Sequence, residues 1–419
     1  MKIGILTYTS NFNFGTFFQA YAGLCSVRRA FLGAQVEIVN LHSKAKHEYV
    51  GYDRLNLKKQ HVIPQRLVRH LLRQRRYRQC QKQFLEIDAS QGFFTDSYDE
   101  AAEYLASQSY DLLLVGSDTV LNLYDWNHTA QEPPVYWLPP DLPGAKAMLA
   151  ASIGTDLTLD ALNEPMRQTL RRSADGFALL GVRDSMTRDF LLGLDPYLKP
   201  RIEVIPDPTF SLDIDHSHAE RYLGKRGIAP EVPLIGLDLP MIVPGLREAI
   251  VHFRSKGYRV ASWRGGSRIA DCDFSDMTPF EWAGMFGRYA ITLTNRFHAS
   301  VFSLKNLTPV IAIDCKSDRV TDLGRSKVSL LLDDFGMKRT HYADMTSLLD
   351  AAWIRQAMES SLAEPRTEDI RKGLATKRSL YGAYLEDVYR LAAESDGDKT
   401  TGREVPRPVT RPATDRLES

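Results

Sequence analysis

The stretch Lys2-Ile3-Gly4-Ile5-Leu6-Thr7-Tyr8-Thr9-Ser10-Asn11-Phe12-Asn13-Phe14-Gly15-Thr16 opens the sequence and decides its class. An apolar run of strand length gives way to a polar loop containing a glycine. Thr16 to Leu32 then carries a helical pattern, and Gln35 to Leu41 returns to an extended one. Strand, helix and strand in that order make a βαβ unit, whose two strands run parallel in one sheet. The loop Thr9 to Thr16 joins the carboxyl end of a strand to the start of a helix, the place where open parallel sheets bind ligands.

The alternation recurs downstream. Tyr110 to Val115 reads as a buried strand ending in Gly116-Ser117-Asp118, and Ala145 to Ala151 as another ending in Ser152-Ile153-Gly154. A helix around Pro165 to Arg172 leads to a strand, Phe177 to Val182, ending in Arg183-Asp184. A helix through Met186 to Leu192 then leads to a strand, Arg201 to Ile205, ending in Pro206-Asp207-Pro208. Parallel strands present their carboxyl ends along one edge, so Asn13, Ser117, Asp118, Ser152, Arg183 and Asp207 are expected to share a crevice. The pattern breaks over His216 to Val232, and a second strand series starts at Leu234. A chain of 419 residues exceeds what one core organises. The expected organisation is α/β with two Rossmann-like domains, residues 1–215 and 216–345, facing each other across a cleft. Helices over 346–395 pack across both, and a disordered tail of low apolar content covers 396–419.

Charged residues at 25% and a net charge of +1 leave no global field to attract nucleic acid, so anion binding must be built locally. Cys25, Cys80, Cys272 and Cys315 have no CxxC spacing, and the N-terminus runs straight into a strand. Both features fit a cytoplasmic protein without disulfides or zinc. No run is apolar enough to span a membrane. Lys58 to Lys82 is strongly basic and helical, with Arg66, Arg69, Arg73, Arg75, Arg76 and Arg78 around Leu67, Leu71 and Leu72. It reads either as a solvated helix with a narrow apolar stripe or as a patch for an anionic acceptor or a peripheral membrane contact.

Met277 to Asp314 carries the chemistry. Thr278-Pro279-Phe280-Glu281 has the signature of a helix start, with threonine as N-cap, proline first and glutamate completing a capping box. After a strand, Ala290 to Thr294, the loop Asn295-Arg296-Phe297 opens a helix from His298 to Leu304. Arg296 and His298 therefore stand where free N–H groups and the helix dipole favour a phosphate or carboxylate. Arg183, at the equivalent edge of the first domain, would complete a two-sided anion clamp.

These segments resemble the polysaccharide pyruvyl transferase family. The resemblance is carried by Lys2 to Tyr8, Asn13-Phe14-Gly15-Thr16, Gln19-Ala20-Tyr21, Val115-Gly116-Ser117-Asp118, Ala150 to Gly154, Val182-Arg183-Asp184-Ser185 and Asp207-Pro208-Thr209. Most specific is Thr294-Asn295-Arg296-Phe297-His298-Ala299 with Phe302-Ser303-Leu304 and Thr308-Pro309-Val310. Many relatives carry Asp-Ser-Phe-His-Gly where this chain has Asn295-Arg296-Phe297-His298-Ala299; the histidine is kept. The resemblance implies a GT-B-like fold and a ketal pyruvyltransferase of polysaccharide biosynthesis, exopolysaccharide included. Its donor would be phosphoenolpyruvate, used as co-substrate without a further cofactor. Its acceptor would be a sugar or glycan, including a lipid-linked one.

On that reading His298 handles the proton, since an imidazole titrates near neutrality, and Asp118 orients or deprotonates the acceptor hydroxyl or else caps a helix. Arg183 and Arg296 meet the two anionic ends of the donor, with Asn13, Gly15, Thr16, Ser117 and Ser152 lining its site. No residue cluster has metal-ligand spacing. A nucleotide-sugar glycosyltransferase on the same scaffold and a noncatalytic sugar- or anion-binding protein are the competing readings.

Overall fold

The structure, a computed structural model, describes residues 1–9, 12–44, 64–88, 91–123, 132–154, 158–240, 243–264, 269–315, 326–344 and 349–397. Residues 58–63 of the basic stretch and the expected tail beyond Gly397 lie outside them.

The strands of the N-terminal half are β1 (Lys2–Leu6), β2 (Gln35–Ile38), β3 (Leu41–His42), β4 (Phe93–Phe94), β5 (Leu112–Val115), β6 (Ala145–Ala151), β7 (Leu179–Val182) and β8 (Ile202–Val204). Those that follow are β9 (Leu234–Asp238), β10 (Arg259–Ser262), β11 (Cys272–Asp273), β12 (Tyr289–Thr294), β13 (Val310–Asp314) and β14 (Tyr342–Asp344). One six-stranded sheet has the order β2-β1-β5-β6-β7-β8, the other β11-β10-β9-β12-β13-β14, and β3 pairs separately with β4. Every pairing in the two large sheets is parallel. The second order is the doubly wound Rossmann order, and in both sheets the chain reverses direction beside the first strand. The fold is therefore two Rossmann-like halves, as expected. The strands read as apolar runs because helices cover both faces: Leu112–Val115, Leu234–Asp238 and Val310–Asp314 are buried throughout.

The capping box at Thr278 forms as its sequence predicts, with Glu281 N donating to Thr278 Oγ1 at 3.3 Å and Thr278 N to a Glu281 carboxylate oxygen at 2.7 Å. The break expected over 216–232 contains a helix, Ser217–Lys225. His216 at its N-cap makes no side-chain cap and Gly224 sits in its last turn, so the start and stop signals are weak. Tertiary burial of Ala219, Tyr222 and Leu223 supplies what local propensity does not.

Two features join the halves. Phe14, Phe17 and Phe18 on the helix Phe14–Ala30 meet Phe280, Trp282 and Phe302 from the other side, within one core cluster that spans both sheets. The C-terminal helix, Thr367–Gly397, starts with Ile370 in the core beneath the second half and ends with Tyr381, Tyr384 and Val388 in the shared cluster. Tyr384 Oη donates to Met148 O (2.5 Å) and accepts from Gly181 N (2.8 Å), beside the β6–β7 irregularity between Leu149 and Ala151. Gly181 is required there, because a Cβ would sit 2.4 Å from Tyr384 Cζ.

Candidate active site

Both sheets turn their carboxyl ends toward one cleft of about 590 Å³. From the first sheet, β5 leads into Gly116-Ser117-Asp118. Asp118 adopts a left-handed φ of 77°, a conformation that aspartate tolerates better than most residues. Its carboxylate accepts from Thr119 N at 2.9 Å and from Thr16 Oγ1 at 3.2 Å, and keeps 18% exposure. Arg183 follows β7 and Asp207 follows β8. Asp207 caps the turn Pro208–Ser211: Oδ1 accepts from Thr209 N (3.0 Å) and Thr209 Oγ1 (2.6 Å), while Oδ2 accepts from Ser117 Oγ (3.0 Å).

Arg183 and His298 meet on that Oδ2. The Arg183 Nη1 lies 3.4 Å from it and 3.7 Å from Asp118 Oδ1. From the opposite half, His298 Nε2 stands 3.5 Å away. Arg183 Nη2 and His298 Nε2 are buried and make no hydrogen bond to the protein. The Arg183 guanidinium also lies over the Phe297 ring, 5.0 Å from its centroid. Burial opposes ionisation of Asp207, but the His298 and Arg183 charges and the Thr209 hydroxyl outweigh it and hold the carboxyl far below the usual range. Asp118 is likewise opposed by burial and lowered by Arg183, Lys327 and His298. Both are carboxylates at neutral pH.

The helix Phe297–Lys305 carries His298 at one end and Lys305 at the other. Lys305 Nζ donates to the carbonyls of Thr209 (2.7 Å), Phe210 (3.2 Å) and Leu212, so one helix holds both the imidazole and the turn that carries Asp207. Gly15 gives the imidazole its room: a Cβ there would lie 2.3 Å from His298 Nδ1.

At the reversal point of the second sheet, β9 ends in Asp238 and β12 leads into Asn295-Arg296. Arg264 Nε lies 3.3 Å and Arg296 Nε 3.9 Å from the Asp238 carboxylate. Arg73, from the basic helix Pro64–Cys80, reaches the same cleft with its guanidinium over the Phe14 ring at 4.9 Å, and its Nε is buried without a hydrogen bond. Lys327 enters at the start of the helix Lys327–Asp334, behind the Ser326 cap.

Of the residues singled out from sequence, Asn13, Gly15, Asp118, Arg183, Arg296 and His298 line the cleft. Thr16, Ser117 and Ser152 do not; they stand behind it. Thr16 holds Asp118, Ser117 holds Asp207, and Ser152 Oγ donates to Asp184 Oδ2 at 2.7 Å. Asn13 Oδ1 caps its helix by accepting from Gly15 N. Asp118 accepts from Thr119 N and Thr16 Oγ1 and caps no helix among the described residues. The sequence pattern does not single out Asp238, Arg264 or Lys327; it gives Arg73 only as one cation of a helix that reads either as solvated or as an anion patch, and it places Asp207 in the crevice without a role. Asp238 had a usable signal, a carboxylate at the last position of a buried strand.

The model of the family described as polysaccharide pyruvyl transferase matches residues 13–317. Comparison with curated proteins finds no match. Among solved structures, a UDP-N-acetylglucosamine 2-epimerase is 12% identical with a TM-score of 0.54, covering 98% of this chain and 99% of that one. A putative UDP-N-acetylglucosamine 2-epimerase from Listeria monocytogenes is 11% identical with a TM-score of 0.52, covering 98% and 99%. The UDP-N-acetylglucosamine 2-epimerase from Rickettsia bellii is 10% identical with a TM-score of 0.50, covering 94% and 96%. At such identities the likeness concerns the fold, which is GT-B-like.

Proposed function

The chain belongs to the polysaccharide pyruvyl transferase family, and from that premise we propose that it transfers the pyruvyl group of phosphoenolpyruvate to two hydroxyls of a sugar, forming a cyclic ketal. The observation that carries this reading is the meeting of Arg183 and His298, from opposite halves, on the buried Asp207 carboxylate beside Asp118.

Phosphoenolpyruvate brings a carboxylate, a phosphate and a nucleophilic methylene carbon. Protonation of that carbon creates positive charge at C2, which the first hydroxyl attacks. Phosphate then departs with the electrons of the C2–O bond, and the second hydroxyl closes the ring. One hydroxyl proton is balanced by the new methyl group and the other leaves on phosphate. His298 is the proton carrier, with Nε2 available and Asp207 stabilising the imidazolium. Arg183 offers the unpartnered Nη2 to one anionic end of the donor, and Arg296 takes the other. Asp118, ionised and facing the cleft, accepts a hydrogen bond from the attacking hydroxyl and aligns it.

Phosphate release from phosphoenolpyruvate in the presence of a panel of hexosides tests the assignment. His298→Ala should lower kcat roughly 10²- to 10⁴-fold while donor binding persists, and Arg296→Ala should act mainly on the KM for the donor. Wild-type rates in both variants would sink it.

A further inference from the structure

Charge is spread unevenly along the chain. Between Asp53 and Glu86 there is no acidic residue and there are ten lysines and arginines, although the whole sequence carries only +1. The helix Pro64–Cys80 lies inside this run. Its inner side is fixed: Tyr77 is buried, its ring packs on Phe12 with centroids 4.3 Å apart, and its Oη donates to Asn13 O at 3.0 Å. Arg73, one turn earlier, turns the same way and borders the cleft. At 3.6 residues per turn, Leu71, Leu72, Arg75, Arg76, Arg78 and Gln79 fall on the opposite arc, about 160° wide, and all of them are exposed. A solvated helix with an apolar stripe turns its leucines inward, whereas Leu71 and Leu72 are 50% and 53% exposed. Arg76 Nη1 donates to Asp276 O at 3.1 Å, while Arg75 and Arg78 make no hydrogen bond or ion pair among the described residues.

We propose that this outer face of the helix Pro64–Cys80 docks on an anionic membrane surface, with Arg75, Arg76 and Arg78 against the headgroups and Leu71 and Leu72 inserted among them. Cations beside leucines, with no acid between them, match a bilayer surface: anionic headgroups meet the guanidinium groups and the acyl boundary takes the apolar side chains. A soluble polyanion, such as a nucleic acid or an acidic glycan, would leave the leucines in water. A second copy of this chain would set like charges against each other. Because Phe12 and Arg73 border the cleft, a bilayer held on the outer face of this helix lies beside the cleft's rim. The inference concerns where the protein works and is independent of the pyruvyl-transfer reading.

Sedimentation of the full-length protein with vesicles tests the contact. Wild type should bind vesicles of phosphatidylcholine containing about a third phosphatidylglycerol, and bind pure phosphatidylcholine roughly tenfold less or weaker. Raising the salt should release it. Arg75→Gln with Arg78→Gln should weaken partitioning roughly 20- to 30-fold, about fivefold for each cation. Leu71→Gln with Leu72→Gln should weaken it about tenfold. All four side chains are exposed, so both double variants should keep the wild-type urea midpoint, which separates loss of docking from loss of fold. Equal partitioning of wild type onto charged and neutral vesicles, or none onto either, overturns the proposal. So does wild-type partitioning in both double variants, which would put the contact elsewhere. Loss in the arginine pair with none in the leucine pair identifies a bare polyanion surface and overturns it as well. Phosphate release from phosphoenolpyruvate enters none of these readings, so the membrane contact and the pyruvyl-transfer reading fail separately.

Discussion

Asp207→Asn changes almost nothing in shape and removes the charge on which Arg183 and His298 converge. Oδ1 of Asp207 accepts from both Thr209 N and Thr209 Oγ1, so an asparagine must keep its carbonyl oxygen there. Its NH2 group then falls at the Oδ2 position, pointing donors at Arg183 Nη1 and His298 Nε2, which lie 3.4 and 3.5 Å away. Arg183, whose side chain is 4% exposed, is left with Asp118 at 3.7 Å as its counter-charge. Breaking a buried pair by removing one partner costs about 3–5 kcal/mol. The surviving Asp118 contact puts the expectation near the lower end, about 3 kcal/mol, read as the difference in urea-unfolding free energy at pH 7.

The pH dependence carries the sign. The folded Asp207 carboxyl is held below its unfolded value of about 3.9, so its contribution is fully present above pH ~4 and fades as the pH falls toward the folded value. The gap between wild type and Asp207→Asn should therefore shrink in acid. A double-mutant cycle with Arg183→Gln isolates the pair and should give a coupling of roughly 2 kcal/mol. A destabilisation under about 0.5 kcal/mol, within the range of a neutral surface substitution, or additive single effects, would refute the picture of a mutually dependent buried pair.

The same geometry predicts three further outcomes. Gly15→Ala, which would place a Cβ 2.3 Å from His298 Nδ1, should displace the imidazole and lower kcat on the order of 100-fold; an unchanged kcat would show that the ring tolerates the shift. Tyr384→Phe leaves Gly181 N–H and Met148 C=O without their partner and should cost about 1–3 kcal/mol in urea unfolding, a prediction that fails if the midpoint does not move. Burial pushes Lys305 down from 10.5 to about 7, so its ammonium form weighs against folding fully below pH 7. That penalty lifts between pH 7 and the unfolded value of about 10.4. Wild type should gain thermal stability over this window relative to Lys305→Met, and parallel melting curves across the pH range would contradict it.

The parallel sheets were legible because strands covered on both faces must be apolar along their length, as Leu112–Val115 is. Thr278 to Glu281 was legible because a capping box is a contract among four neighbouring residues. The helix Ser217–Lys225 was not, since burial of Tyr222 and Leu223 by distant segments sustains it. Arg183 and His298 could be named from strand ends, but that they share Asp207 depends on how two sheets face each other, which no local pattern encodes. Arg73 illustrates the same limit: five neighbouring arginines made it one of a crowd, and only its place over Phe14 sets it apart. Ser152 misled because a serine at a strand end looks alike whether it faces a ligand or, as here, a neighbouring aspartate.

Tyr384 has a consequence for how the molecule is made. The strand it supports at Gly181 lies 203 residues earlier in the sequence. At about 5–20 residues per second, a ribosome delivers that tyrosine on the order of 10–40 s after the glycine. The N-terminal half therefore emerges with Gly181 N–H and Met148 C=O at its β6–β7 irregularity still awaiting the tyrosine hydroxyl, and gains that support only when the helix Thr367–Gly397 follows. Severing the chain after Ala363 should leave that half exposed to aggregation and proteolysis, although every strand of its own sheet would be present.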